Sequence, residues 1–309
     1  MPPEKPMARS RKLLFYISFC VFSFLLGLLL TFPYDTLKKI LVARAEAGGY
    51  VLKVRSVGPG VGLVARGLSL QKKGVGSKDV PTEALEIESV SLRPTLFLPG
   101  LSIHASLLGG DVYTQVGLLG STRINVELDD IDFSKSNFKG FSGVDLNGKL
   151  RGELSLSIPN ISVGKGQKEP DLAGANGNVR LKLEGVKVNG GTIRVVIPAF
   201  GNEPTPVDLP RIELGDFTSS LKIEKGMATV DKLSLLGKGL EASGVGTIRL
   251  ARRLEYSELG VDLRLKTDPD FQKSLGVYGM AFSQLRSDPK DTAWKVARLT
   301  GYLGRPAFR

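Results

Sequence analysis

The chain reads as mainly β: a single N-terminal transmembrane helix, a short amphipathic helix, then a curved antiparallel β-sheet domain. Three observations predict this. One charge-free apolar run of membrane-spanning length lies near the N-terminus. Beyond residue 49, apolar and polar residues alternate with a period of two, the pattern of half-buried antiparallel strands. Glycine (37 residues) and proline (17) punctuate the alternating runs, as turns between short strands require. Hydrophobic residues make up 42% of the 309, enough to argue against global disorder.

Residues 1–12 form a basic tail carrying Lys5, Arg9, Arg11 and Lys12. Leu13–Phe32, LLFYISFCVFSFLLGLLLTF, follows without a charge. As a helix rising about 1.5 Å per residue it spans about 30 Å, the hydrocarbon thickness of a bilayer. The alternative is a cleaved signal peptide. Its apolar core is shorter, about 7–15 residues, and the small-residue motif Ala43-Arg44-Ala45 falls well past the run. An uncleaved anchor is the expectation. Bases flank its N-terminal side, whereas Lys38, Lys39 and Arg44 beyond it are mixed with Asp35 and Glu46. That bias places the N-terminus in the cytoplasm and the bulk of the chain in the periplasm. Cys20 is the single cysteine and lies inside the run, so no intrachain disulfide forms.

Residues 33–49 are expected to hold the amphipathic helix. Tyr34, Leu37, Leu41 and Ala45 recur at helical spacing, Asp35 and Thr36 are candidate caps, and Gly48-Gly49 ends it. Residues 50–309 form the β-rich domain. Leu85 and Ile87 alternate with Glu86 and Glu88; Ile124, Val126 and Leu128 with Asn125, Glu127 and Asp129. Val144, Leu146, Leu150, Leu154, Leu156 and Ile158 share one parity and are the candidate lining of an apolar groove. Val179, Leu181 and Leu183, and later Leu259, Val261, Leu263 and Leu265, repeat the pattern.

Asn189-Gly190-Gly191 between Val179–Val188 and Thr192–Ile197 predicts a hairpin, as does Glu224-Lys225-Gly226 before Met227–Leu235. The parity flip at Gly185 predicts a bulge. Prolines such as Pro94, Pro159, Pro198 and Pro210 delimit strands, because proline cannot donate to a ladder. Lys72–Pro81 and Gly164–Gly174 read as exposed loops, and residues 164–174 are a candidate division of the domain.

The formal charge is +11; beyond Phe32 it is +8, from 38 bases and 30 acids interspersed along the strands. A nucleic-acid surface shows a basic block with aromatics nearby, so no nucleic-acid partner is expected. The single histidine, His104, alternates with Ile103 and Ala105 and reads as an exposed strand-face residue. One histidine and one cysteine leave no HExxH or cysteine-based zinc site. Ser69 and Lys72 fit SxxK spacing but end a strand, where hydroxyl and amine do not meet as on a helix. Glu127, Asp129, Asp130 and Asp132 form the densest acidic cluster, a solvated strand end or a weak calcium site that lacks the EF-hand pattern. No convergent nucleophile, base or metal set emerges. The expectation is a non-enzyme with no cofactor.

The segment FPYDTLKKILVARAEAGGYVLKVRSVGPGVGLVARGLSL resembles the start of the GspN family, the N protein of bacterial type II secretion systems. Phe32, Pro33, Gly49, Pro59, Gly67, Leu68 and Leu70 carry the likeness. The closing VARLTGYLGRPAF, with Gly301, Leu303 and Pro306, resembles the last strand of AsmA-like proteins, and GVDLNGKLRGELSLSIP is similar to their middle repeats. The resemblance implies a single-pass inner-membrane protein, a periplasmic β domain and association with type II secretion. Its partners would be the inner membrane and other envelope proteins of that system. The AsmA-like likeness implies an alternative, a lipid-binding or lipid-transfer module with an apolar groove. An ordinary closed core is the third reading of the same apolar parity.

Overall fold

In a computed structural model of the chain, the described residues are 33–60, 62–72, 83–95, 99–117, 119–135, 138–163, 167–196, 204–274 and 285–308, with 16, 19, 20, 23, 27 and 282 besides. The predicted span Leu13–Phe32 lies outside them except at five positions, each of which is helical. Among the described residues no helix is long and apolar enough to cross a membrane. The loop 73–82 also lies outside them.

The fold is mainly β. Helix α1 (Tyr34–Ala47) stands where its periodicity predicts and turns Tyr34, Leu37, Val42 and Ala45 inward, with Leu41 left exposed. Pro33 occupies its N-cap and no side chain caps it. The expected capping by Asp35 or Thr36 is therefore corrected: Asp35 lies inside the first turn, where its negative charge complements the positive end of the helix dipole. Gly49, at φ 83°, ends the helix.

A meander follows: β1 (Tyr50–Gly60), β2 (Gly62–Lys72), β3 (Leu85–Pro94), β4 (Gly100–Leu107), β5 (Gly110–Gly117), β6 (Thr122–Asp132) and β7 (Val144–Ile158). A small side hairpin, β8 (Asn160–Val163) with β9 (Gln167–Pro170), leads to β10 (Asn176–Val196). Then come β11 (Pro204–Leu209), β12 (Ile212–Glu224), β13 (Met227–Leu236), β14 (Leu240–Arg249), β15 (Glu258–Thr267), β16 (Arg286–Ser287), β17 (Lys295–Tyr302) and β18 (Arg305–Phe308). Among the described residues all but β8 and β9 join one antiparallel sheet, and its end strands do not pair to close a barrel. β7 pairs directly with β10, so the sheet runs unbroken past residues 164–174.

The β12–β13 hairpin forms as predicted. Lys225 (φ 47°) and Gly226 (φ 74°) are its two loop residues, both left-handed as a type I′ turn demands. A Cβ on Gly226 would lie 2.0 Å from the Ala173 carbonyl oxygen, so only glycine fits. The hairpin predicted at Asn189-Gly190-Gly191 does not form. β10 runs straight through it as one strand, pairing with β7 and β12 and then with β11. Gly190 (φ 117°) and Gly191 (φ 146°) instead absorb a register shift against β7. The bulge predicted at Gly185 is present, at the shift between Leu183 and Val186.

The register aligns the strand faces. Val57, Ala65, Val90, Ala105, Val112, Leu128 and Gly152 stand opposite one another in succession from β1 to β7. The row continues through Leu181, Ser219, Leu233, Gly244, Leu263 and Ala297 to β17. A parallel row runs from Pro59 and Leu63 through Val126, Leu154, Val179 and Leu221 to Val261 and Leu299. One face is thus apolar or small across every strand of the path except at Thr114 and Ser219.

Short elements stand at both lateral ends of the sheet. α1 packs against β1, and the short β16 and β18 share the outer edge of β17. Short elements cap the rims of the apolar face. On α2 (Phe138–Ser142), Phe138 and Phe141 pack on Leu85, Leu108 and Ile131. On α3 (Pro269–Ser274), Phe271 packs on Leu240 beside Leu235. At the opposite rim Leu172 joins Ile158, Ala175, Ile223 and Ala228.

Candidate binding face

Between those capped rims lies the candidate site. Val126, Leu154, Val179 and Leu221 are half-buried, touched by their neighbours along the sheet, and every long strand among the described residues belongs to that same sheet. The path from β1 to β17 crosses 12 inter-strand steps. At about 4.8 Å per step the apolar face extends roughly 58 Å measured along the sheet.

Two glycines shape its floor. A Cβ on Gly152 would meet Leu181 Cδ2 at 2.7 Å and Leu128 Cδ1 at 3.4 Å. A Cβ on Gly244 would meet Leu263 Cδ2 at 2.8 Å and Leu233 Cδ2 at 3.3 Å. In each place leucines from both flanking strands lie over the glycine and level the surface. Dispersion contacts then run continuously from strand to strand.

The six groove candidates on β7 divide. Leu154 and Leu156 lie on the apolar face, Leu150 enters the cluster under α2, and Ile158 enters the cluster at the opposite rim. Val144 and Leu146 lie beyond the irregularity at Gly148 (φ 136°), where β7 meets the far part of β10. Sequence reasoning confined the groove to β7 and missed its continuation over the other strands. The signal was available, since each alternating segment carries one apolar parity of its own; only the register connects them.

The opposite face is polar. One of its rows runs Ser91, His104, Tyr113, Glu127, Glu153, Arg180, Ser220. His104, expected as an exposed strand-face residue, lies on this face partly exposed and with partners. Its Nε2–H donates to Asp111 Oδ1 at 2.8 Å, and its ring stacks on Tyr113 with centroids 4.4 Å apart. Ser106 Oγ donates to the same oxygen at 2.8 Å. These bonds, Ser106 first and His104 next, hold the Asp111 carboxyl below its usual value. Both donors bind one acceptor, so serine and histidine are not arranged as nucleophile and base.

The acidic cluster disperses. Asp132 accepts from the Ser134 hydroxyl and backbone N–H, which lowers its pKa. Asp130 pairs with Arg151 at 2.6 Å, and Asp129 lies 3.9 Å from that guanidinium. Ser69 and Lys72 lie on β2, not on a helix. Among the described residues no three metal-ligating side chains converge.

Near the β17 end, Arg264 pairs with Asp288 at 2.7 Å and lies 5.1 Å from the centroid of Trp294. The Lys290 backbone N–H, followed by Arg264, draws the Asp288 pKa down. Compared with family models, curated proteins and solved structures, the chain matches none.

Proposed function

We propose that this chain is a non-enzymatic envelope protein, held in the bacterial inner membrane by its N-terminal apolar run, whose apolar sheet face receives lipid acyl chains. The observation that supports this is the continuity of the face. Thirteen strands paired in succession present apolar or small side chains in register, and across β6, β7, β10 and β12 the mid-face residues Val126, Leu154, Val179 and Leu221 are only half-buried. Leaving such a surface to water opposes the hydrophobic effect, so a ligand with long apolar chains is its natural complement.

Native mass spectrometry of the full chain released from detergent tests the reading. Bound phospholipid is expected. Gly152→Leu and Gly244→Leu push side chains up through the level floor, displacing the flexible tips of leucines; at Gly152 the new Cβ also stands 3.1 Å from the Arg180 carbonyl oxygen, so Gly244→Leu is the milder change. Adducts should fall while circular dichroism is unchanged. Absence of adducts, or equal adducts in the variants, would count against the reading.

A second reading, component of the type II secretion apparatus, rests on the motif residues. Several of them occupy joints of the fold. Gly49 ends α1, and Gly67 (φ 59°) passes beneath the Arg55 side chain, 3.1 Å from where its Cβ would stand. Deletion of the gene followed by measurement of exoprotein export tests this role separately.

A further inference from the structure

On the polar face a cavity opens over β6. Tyr113 and Gln115 on β5 form one wall and Glu153 and Ser155 on β7 the other, with Asn125 and Glu127 of β6 between them. The walls stand two strand spacings apart, about 10 Å. The space is about 290 Å³, at the lower end of ligand sites, which run roughly 300–1,000 Å³, so it takes one small ring.

The Tyr113 wall is buttressed. One face of its ring lies parallel to the His104 imidazole, the planes 1° apart, and Asp111 fixes the imidazole in turn. His104 stands opposite Tyr113 on β4, and Glu127 stands opposite it on β6. The second ring face is therefore turned toward β6 and the cavity. Tyr113 is 43% exposed, so the polar face carries a held aromatic plane open to water. The polar groups beside it are only partly used. Asn125 Oδ1 accepts from Ser155 Oγ at 2.8 Å, which leaves the Asn125 amide nitrogen to donate. Among the described residues no hydrogen bond engages the Gln115 amide or the Tyr113 hydroxyl, and no cation pairs with Glu127. Glu127 also faces Glu153 directly across the ladder, a like-charge pair that costs stability, and Arg180 pairs only with Glu153.

These groups select a ligand chemistry. A wholly apolar ring would rest on Tyr113 but strip water from Gln115, Asn125 and Glu127 and return no hydrogen bonds. An anion would meet the two carboxylates. A ring with one apolar face for the tyrosine, and hydroxyl groups around its rim for the amides and the carboxylate, satisfies both walls. A pyranose is such a ring.

We propose that Tyr113, Gln115, Asn125 and Glu127 form a subsite for an uncharged hexopyranose unit of a glycan. The cavity and the acyl-chain face lie on opposite sides of the sheet, so the subsite does not rest on the reading above and either can fail alone. Saturation-transfer NMR on the full chain in phosphatidylcholine nanodiscs, which keep sugar-based detergents out, uses chitobiose as the probe. Transfer to chitobiose is expected. Tyr113→Ser should abolish it, and Gln115→Ala should weaken binding about fivefold. Glucuronate, a pyranose carrying a carboxylate, should compete poorly with chitobiose on the unaltered chain and better on Glu127→Gln. Unchanged circular dichroism establishes that the variants are folded. Should Tyr113→Ser not fold, Gln115→Ala and Glu127→Gln carry the test. No transfer to chitobiose, or undiminished transfer in the folded variants, overturns the proposal. Spermidine that binds through Glu127 where chitobiose does not overturns it in favour of a cation site.

Discussion

The two faces of the sheet are built on opposite terms. On the polar face charges pair across strands: Arg180 with Glu153 at 3.1 Å, Lys187 with Glu213 at 3.2 Å, Arg298 with Asp262 at 3.5 Å. Every one of those six side chains is more than half exposed, so each pair contributes little. On the apolar face burial is found at the rims, under Phe138, Phe271 and Leu172, and within the rows toward both lateral ends of the sheet, at Ala65, Val230, Val261 and Ala297, while Val126, Leu154, Val179 and Leu221 between them are only half-buried. Side-chain packing therefore stabilises the rims and the lateral parts of the sheet most, and the stretch of the face from β6 to β12 least.

That contrast can be broken most forcefully at a rim. Phe271→Ala removes a ring packed on Leu240, Leu214 and Leu235 and should cost about 3–5 kcal/mol in denaturant unfolding. Mid-face, Leu154→Asp should cost about 1–3 kcal/mol, and the folded protein should lose bound lipid. Its neighbour Ser155→Asp, on the polar face, should be close to neutral. Equal tolerance at Leu154 and Ser155 would refute the division into faces.

Acid acts on the polar face next. Asp111, Asp132, Asp145 and Asp288 all have lowered pKa values through hydrogen bonds and neighbouring cations. Each binds its proton less readily folded than unfolded. Their stabilisation is thus complete above the ordinary carboxylate range and is lost as pH falls through and below about 4. A melting temperature flat near neutrality and falling only in acid is expected. A fall beginning near neutrality would contradict this. The smallest effect is Arg180→Ala, within about 0.5 kcal/mol at any moderate salt concentration.

Much of this was legible in the residues. β7 occupies Val144–Ile158, the run whose parity marks it, and α1 occupies Tyr34–Ala47, the run whose helical spacing marks it. Local periodicity suffices because both elements expose one face and cover the other. The glycines at 190 and 191 misled, since the same conformational freedom serves a hairpin or a register shift, and only the partner strands decide between them. His104 carried no local sign of its partners. Asp111 and Tyr113 reach it across the β4–β5 ladder, as β5 residues whose register only the turn at Leu108-Gly109 sets. The apolar face was read on one strand and missed as a surface for the same reason. Which rows align across thirteen strands is information held in turns and bulges, not in alternation.

Photo-crosslinking in cells tests the open face most directly. A photoreactive residue is placed singly at Val126, Leu154 or Leu221, and, as polar-face controls, at Asn125, Ser155 or Ser220. The account predicts lipid adducts at all three apolar positions, on three different strands, and none at the controls. Adducts confined to other protein segments, or equal labelling of both faces, would contradict it.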